Sequence, residues 1–330
     1  METLISIKNL SIGIHYPLPG GGEKTLSAVE DLSFNIYPGE ILGLVGESGA
    51  GKSLTALSIA GLLGEGKEVT SGSIIYSSGI SSYDILKQDE RELRKIRGKE
   101  ISFIFQEPVS SLNPLLKIGA QIAETLELHG EKDKTSNKAK VKELMEKLKL
   151  PPELESSYPN ELSGGMCQRV MIALAIICRP RLLIADEPVT ALDFNTQIQI
   201  LSLLKEINRD FQTSLLFISH DLSAVKDICG RMLVMYSGRI LEEGQTVEIF
   251  NHPSHEYTKG LLASLPGRAS RGKDLAVIPG KIPSLEEGRP RGCPFHPRCG
   301  KALPDCKNKF PAERQLGANH KTHCVLEEMR

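Results

Sequence analysis

Net charge is almost absent from this sequence: 40 lysines and arginines stand against 41 aspartates and glutamates, a formal charge of -1. The two signs are mixed throughout, with no basic excess or stripe, which weighs against a nucleic-acid binder held by phosphate contacts. Long apolar runs are missing too. The longest, VMIALAIIC (Val170–Cys178), is far shorter than a membrane span and stops at Arg179, Pro180 and Arg181. The opening METLISIKNL has an acidic second residue and no apolar core of signal-peptide length. These absences predict a soluble, cytoplasmic chain in which disulfides are disfavoured and any work at a membrane goes through a partner. Internal repeats, low-complexity segments, long coiled coils and a second phosphate-loop motif are lacking as well.

What is present fits a soluble globular protein: 330 residues, 40% hydrophobic and 25% charged. That length predicts one large domain with an appendage, or two domains. Up to about Leu265, strand-length apolar runs alternate with helical patterns. EILGLVG (Glu40–Gly46), ISFIF (Ile101–Phe105), RLLIAD (Arg181–Asp186) and SLLFISH (Ser214–His220) have the continuous hydrophobicity of strands buried on both faces. The helical stretches after them predict crossover units and a largely parallel central sheet. LISIKNLSIGIHY and SAVEDLSFNIY read instead as antiparallel strands broken by the turn PLPGGGE. Between Phe105 and Ser163 the pattern is mostly helical, with Lys138–Leu150 an amphipathic helix whose lysines form a solvated face. Beyond Leu265, Pro, Gly and Arg become frequent and helical periodicity disappears, so a boundary is expected in Ser264–Asp274.

Chemistry enters with GESGAGKS (Gly46–Ser53), which fits G-x-x-x-x-G-K-[ST] between a strand and the helix-like SLTALSIAGLL. Glycines let successive backbone N–H groups converge on phosphate oxygens, and the helix start adds partial positive charge. Lys52 is expected to reach the β- and γ-phosphates and Ser53 to offer its hydroxyl to Mg²⁺. A Gly-rich turn matches this pattern by chance at times; the strand–loop–helix context selects the triphosphate site. RLLIADEP then sets Asp186 and Glu187 at a strand's C-terminal tip, where open α/β sheets bind ligands. Asp186 suits the Mg²⁺ shell, and Glu187 suits the general base that polarises the attacking water. Ser163, Gly164 and Gly165 open a long apolar helix, a second anion site by the same physics. Two anion sites are redundant in one chain unless they serve different nucleotides.

LSGGM between a phosphate loop and a strand ending in Asp-Glu resembles the signature of ATP-binding cassette (ABC) ATPases. The other marks of that family follow in order: Gln106 in FIFQEP for the Q-loop, Ala191–Asp193 for the D-loop, His220 in ISHD for the switch histidine. Tyr16 matches the aromatic position that stacks on adenine. The resemblance implies that two such domains pair head-to-tail, each ATP lying between one phosphate loop and the partner's signature. Gly46, Glu47, Ser48, Gly49, Ala50, Gly51, Lys52, Ser53 and Leu54 would then hold the nucleotide from one chain. Ser163, Gly164, Gly165, Met166 and Asp193 would meet it from the other. Gln106 would contact Mg²⁺ and the water, and His220 the γ-phosphate and the water. Met166, where many members have Gln, is typical of the dipeptide and oligopeptide importer branch. Cys167 is less usual there and reads as a buried small apolar residue.

Cys293, Cys299, Cys306 and Cys324 are four of the seven cysteines, spaced C-x5-C-x6-C-x17-C. Structural zinc sites usually bring ligands in tight pairs, which are missing here. An Fe–S cluster tolerates wider spacings; unligated thiols remain the plainest alternative. The proline-rich Ile278–Cys299 segment, with its Gly-Cys-Pro-Phe, also resembles the C-terminal extension of peptide-importer ATPases. That resemblance implies a [4Fe–4S] cluster on the four cysteines. Zn²⁺ is the alternative, with His296, His320 or His323 able to replace a ligand.

The expected fold is therefore an α/β, ABC-type P-loop ATPase with a mixed, mainly parallel central sheet, an antiparallel β subdomain and a helical signature subdomain near 107–180. Residues 1–265 would form the nucleotide-binding domain and 266–330 a small metal-bound cysteine extension. The resemblance implies an ATP-hydrolysing subunit that energises import of dipeptides or oligopeptides. It would sit on the cytoplasmic face of the membrane, held by integral permease subunits. A second ABC chain, the same or a paralogue, would complete it, and an extracytoplasmic peptide-binding protein would act indirectly. The alternatives are a nickel or other small-solute importer, or a non-transport ABC ATPase.

Overall fold

A computed structural model describes residues 2–18, 20–79, 81–265 and 276–326. The boundary expected in Ser264–Asp274 falls mostly on 266–274, outside the described residues. The strands are β1 (Ile5–Pro17), β2 (Glu23–Ile36), β3 (Ile41–Val45), β4 (Lys67–Ser77), β5 (Ser82–Asp84), β6 (Ile101–Ile104), β7 (Leu182–Asp186), β8 (Ser214–Ser219), β9 (Arg231–Tyr236), β10 (Arg239–Gln245), β11 (Arg314–Gly317) and β12 (His320–Thr322). Helices α1 (Lys52–Ile59), α2 (Glu90–Ile96), α3 (Ile118–Leu128), α4 (Lys134–Lys147), α5 (Gly164–Ile176), α6 (Phe194–Phe211), α7 (Leu222–Ile228), α8 (Thr246–Asn251) and α9 (Glu256–Ala263) alternate with them. Among the described residues no helix is long and apolar enough to cross a membrane.

The chain divides into two compact units. The first gathers described residues of 1–2, 37–40 and 87–218. In it β7 pairs in parallel with β6 and with β8, Leu182 standing opposite both Ile101 and Ser214. Every residue of β7 and β8 is buried, as continuous hydrophobicity demands of strands covered on both faces. Helix α3 packs on α4 and α5, and α5 packs on β6. Helix α4 starts at Lys134, four residues before the expected Lys138, because the Asp133 side chain accepts from the Thr135 and Ser136 N–H groups. An apolar stripe marks a helix's interior, whereas its start is set by such a cap one turn upstream. Cys167 is fully buried in α5, as a small apolar residue there should be.

The second unit gathers described residues of 3–36, 41–86 and 219–330. One sheet, ordered β2-β1-β4-β5, is antiparallel throughout and contains the strand pair read from the first 36 residues. In the other sheet β3 lies parallel to β9, and β9, β10, β12 and β11 follow antiparallel. The cysteine-bearing tail thus adds two strands at the β10 edge, Glu242 standing opposite Thr322. Periodicity could not announce strands of three and four residues, which offer too few alternations to read.

A buried carboxylate fastens this addition. Glu242 is fully buried in β10 and accepts from the Ser254 and His255 N–H groups, at 2.7 and 2.9 Å, and from His320 Nε2 at 2.8 Å. The His320 pKa is raised, first by that hydrogen bond, which outweighs burial, and further by the charges of Glu242 and Glu248.

Candidate functional site

The phosphate loop leaves β3 at Gly46, whose backbone (φ +153°) would put a Cβ 2.1 Å from the Met235 carbonyl oxygen. Glycine alone fits there. The loop ends where Lys52 begins α1. Lys52 is 5% exposed, and its Nζ donates to the carbonyls of Gly46 and Glu47 at 2.8 and 3.0 Å. Ser48, Gly49 and Ser53 are exposed, whereas Ala50 is buried. The Ala50 carbonyl accepts from the Gly238 N–H at 2.9 Å, tying the loop to the β9–β10 turn.

Glu47 is held on three sides. Its N–H donates to the Tyr257 hydroxyl at 2.9 Å, and its carbonyl accepts from Lys52. Its carboxylate forms a two-pronged pair with Arg298, at 2.7 and 3.2 Å. The Tyr16 hydroxyl donates to Glu286 at 2.8 Å, a bond that also raises the Tyr16 pKa. Both Arg298 and Glu286 come from the tail, and nothing local in the sequence announces either contact. His220 is exposed just ahead of α7, whose start is capped by the Asp221 carboxylate on the Ser223 N–H.

In the first unit, buried Asp186 closes β7. Glu187 follows in the left-handed region (φ 49°), uncommon for a residue with a side chain and a frequent mark of functional positions. Its N–H donates to the Ile218 carbonyl at 2.9 Å. Its Oε2 accepts from the Thr190 hydroxyl at 2.9 Å and, more loosely, from Gln106 Nε2 at 3.5 Å. Gln106 and Glu187, 81 residues apart, are therefore neighbours.

Ser163 caps α5, accepting from the Met166 N–H at 3.3 Å. Behind it, Gly165 backs onto Thr196: a Cβ on Gly165 would lie 2.8 Å from Thr196 Cγ2, whereas one on Gly164 would meet open space. Thr196 in turn binds the Asp193 carboxylate through its N–H (3.0 Å) and hydroxyl (2.5 Å). The hydroxyl bond is the first cause of a lowered Asp193 pKa. The signature and the D-loop residue thus share one support. The D-x-x-T spacing of a helix cap carried that signal in the sequence.

Cys293, Cys299, Cys306 and Cys324 all line one small cavity, together with His255, His296 and His323. Cys293 Sγ lies 3.7 Å from His255 Nε2. His255 Nδ1 accepts from the Tyr257 N–H, and burial lowers the His255 pKa to about 4, so the neutral ring carries its proton on Nε2, toward the sulfur. Burial pushes the Cys293 thiol up to about 12 and raises Cys299 and Cys324 as well. Four thiols around one cavity suit a thiolate-bound centre in donor chemistry and address. Among the described residues, however, no three His, Cys, Asp or Glu side chains stand close enough to hold a metal ion.

Comparison with known proteins agrees with this geometry. The ABC transporter family matches residues 29–190, and the C-terminal region of oligopeptide/dipeptide transporters matches 241–306, through Cys306. The oligopeptide transport ATP-binding protein OppD of Haemophilus influenzae is 44% identical over 93% of this chain and 92% of its own. The dipeptide transport ATP-binding protein DppD of Bacillus subtilis is 42% identical over 100% of this chain and 96% of its own. Among solved structures, the dimeric ATP-binding cassette MJ0796 in a post-hydrolysis state with ADP and Pi superposes with a TM-score of 0.64. It is 28% identical and covers 73% of this chain and 98% of its own. A phosphate loop, an Asp-Glu strand end and a capped signature helix, matched nearly end to end by such relatives, leave one assignment: the chain belongs to the ABC transporter ATP-binding proteins, in their oligopeptide/dipeptide branch.

Proposed function

We propose that the chain is the ATP-binding and ATP-hydrolysing subunit that energises import of dipeptides or oligopeptides through membrane permease subunits. The observation that carries this is identity of 40–46% to peptide-transport ATP-binding proteins over 92–100% of the chain, so that the likeness extends beyond the cassette into the tail.

In this reading, residues 1–265 work as the nucleotide-binding domain and 266–330 as its extension. Tyr16 stacks on adenine, and Gly46 to Leu54 cradle the phosphates with Lys52 at the β- and γ-oxygens. Ser53, Gln106 and Asp186 would hold Mg²⁺, which would neutralise phosphate charge when bound. Glu187 takes the proton of a water aimed in line at the γ-phosphate, its carboxylate steadied by the Thr190 hydroxyl. Gln106 lies beside that carboxylate, and His220 stabilises the transferring phosphoryl oxygens. Ser163, Gly164, Gly165, Met166 and Asp193 meet the ATP held by a second ABC chain paired head-to-tail, so hydrolysis separates two rigid bodies.

Phe105, Val109 and Leu115, the last 83% exposed, give the stretch around Gln106 an apolar outer surface. It is the natural seat for a permease on the cytoplasmic face of the membrane. Cys293, Cys299, Cys306 and Cys324 would hold a [4Fe–4S] cluster, with Zn²⁺ as the alternative. Such a centre, when bound, cross-links a segment with little core of its own.

The test is reconstitution with the membrane permease subunits of a peptide importer. Peptide supplied with its binding protein should stimulate ATP turnover. Glu187→Gln should abolish turnover while the ATP-bound dimer accumulates. Peptide-independent hydrolysis, or undiminished turnover in the variant, would contradict the reading.

A further inference from the structure

The segment that carries Cys293 and Cys299 also reaches the phosphate loop. The Arg298 side chain, immediately before Cys299, is 6% exposed, and its guanidinium is bonded on every side. Nε donates to the Pro279 carbonyl at 2.8 Å, and one terminal nitrogen to the Ile278 carbonyl at 3.4 Å. The other nitrogen reaches the Tyr236 hydroxyl at 3.3 Å, and the guanidinium lies over the Tyr236 ring, 5.7 Å from its centre. The same two terminal nitrogens hold both oxygens of Glu47. A planar fork matched to a carboxylate fixes direction as well as charge. Arg289, in the same segment, donates to the Ser237 carbonyl at 2.6 Å, beside the Gly238 whose N–H binds the loop at Ala50.

Glu47 is the second residue of the phosphate loop. A free carboxylate there would repel the triphosphate that the loop's N–H groups and Lys52 attract. Neutralised and held by Arg298, it does not. We propose that Arg298 is a positioning residue for the nucleotide site: it neutralises Glu47 and holds it in place, so the cysteine-bearing extension sets ATP affinity. The proposal rests on the reading of Gly46–Ser53 as the phosphate cradle. It gives the extension a role at the cassette's own chemistry.

The sign of the effect separates this role from simple support. If the pair only stabilises the fold, losing either partner weakens binding alike. If Arg298 neutralises Glu47, the two losses act in opposite directions. The measurement is equilibrium binding of a fluorescent, non-hydrolysable ATP analogue with Mg²⁺ to the full chain, with a melting curve for each variant. R298A should weaken binding roughly fivefold, the scale of one uncompensated charge beside the phosphate loop under surface screening. E47Q should bind at least as tightly as the unaltered chain, and R298A/E47Q should recover to within about twofold of the unaltered chain.

R298A equal to the unaltered chain, or E47Q weakened as much as R298A with no recovery in the double variant, overturns the proposal. If R298A does not fold, E47Q alone decides: retained or tighter binding supports the neutralising role, and a fivefold loss refutes it. Failure of the unaltered chain to bind the analogue would instead overturn the cradle itself.

Discussion

Replacing Gly165 by alanine tests the link between the signature and the D-loop directly. The added Cβ would lie 2.8 Å from Thr196 Cγ2, and ordinary contact begins near 3.4 Å, so the methyl must retreat by about 0.6 Å. Thr196 is poorly placed to give way, because its N–H and hydroxyl both bind Asp193. Overpacking of this kind costs about 1–2 kcal/mol, against a few tenths gained by replacing glycine near a helix start. Gly164→Ala is the matched control, since its Cβ meets open space. Chemical denaturation should therefore find Gly165→Ala about 1–2 kcal/mol less stable than Gly164→Ala. Thr196→Ser removes the obstructing methyl yet keeps the hydroxyl on Asp193. In the Gly165→Ala background it should recover most of the loss, a coupling of about 1 kcal/mol. Equal destabilisation by the two alanines, or no recovery with Thr196→Ser, would refute the shared support.

Three further outcomes concern the tail. The raised His320 pKa means that His320 stabilises the tail's attachment fully below its unfolded value near 6.5, and that this contribution fades as pH rises through the higher folded value. Proteolysis of the tail should accelerate from pH 6 to pH 8.5 in the unaltered chain but stay flat in His320→Gln, and a matching pH response in that variant would exclude His320 as the source. His320→Ala should cost about 1–3 kcal/mol, because buried Glu242 loses a donor. Protein purified without oxygen should contain iron and acid-labile sulfide that Cys293→Ser lowers sharply. An iron-free sample with one zinc per chain would replace the cluster with Zn²⁺.

Much of the cassette was legible because its signals are local. The four buried strands announced themselves as continuous apolar runs, and all four are strands. The phosphate loop showed its glycine spacing, and Asp186 does end its strand. Helix starts were less legible: Asp133 and Asp193 cap α4 and α6 through side-chain hydrogen bonds that leave no mark on apolar periodicity. The tail was the least legible part. Its proline-rich stretch has no period, and β11 and β12 are strands only because β10 offers an edge.

By itself, then, the sequence determined the cassette's buried strands, the phosphate loop, the Asp-Glu strand end and the concentration of thiols, each written within a short window by side-chain period, glycine freedom or donor chemistry. Only the tertiary structure decided which distant residues meet: Gln106 beside Glu187, Gly165 on Thr196, His320 on Glu242 and Arg298 on Glu47. Such contacts join charges or shapes across a folded chain. A charge carries no address until strand pairing and packing bring its counterpart within reach.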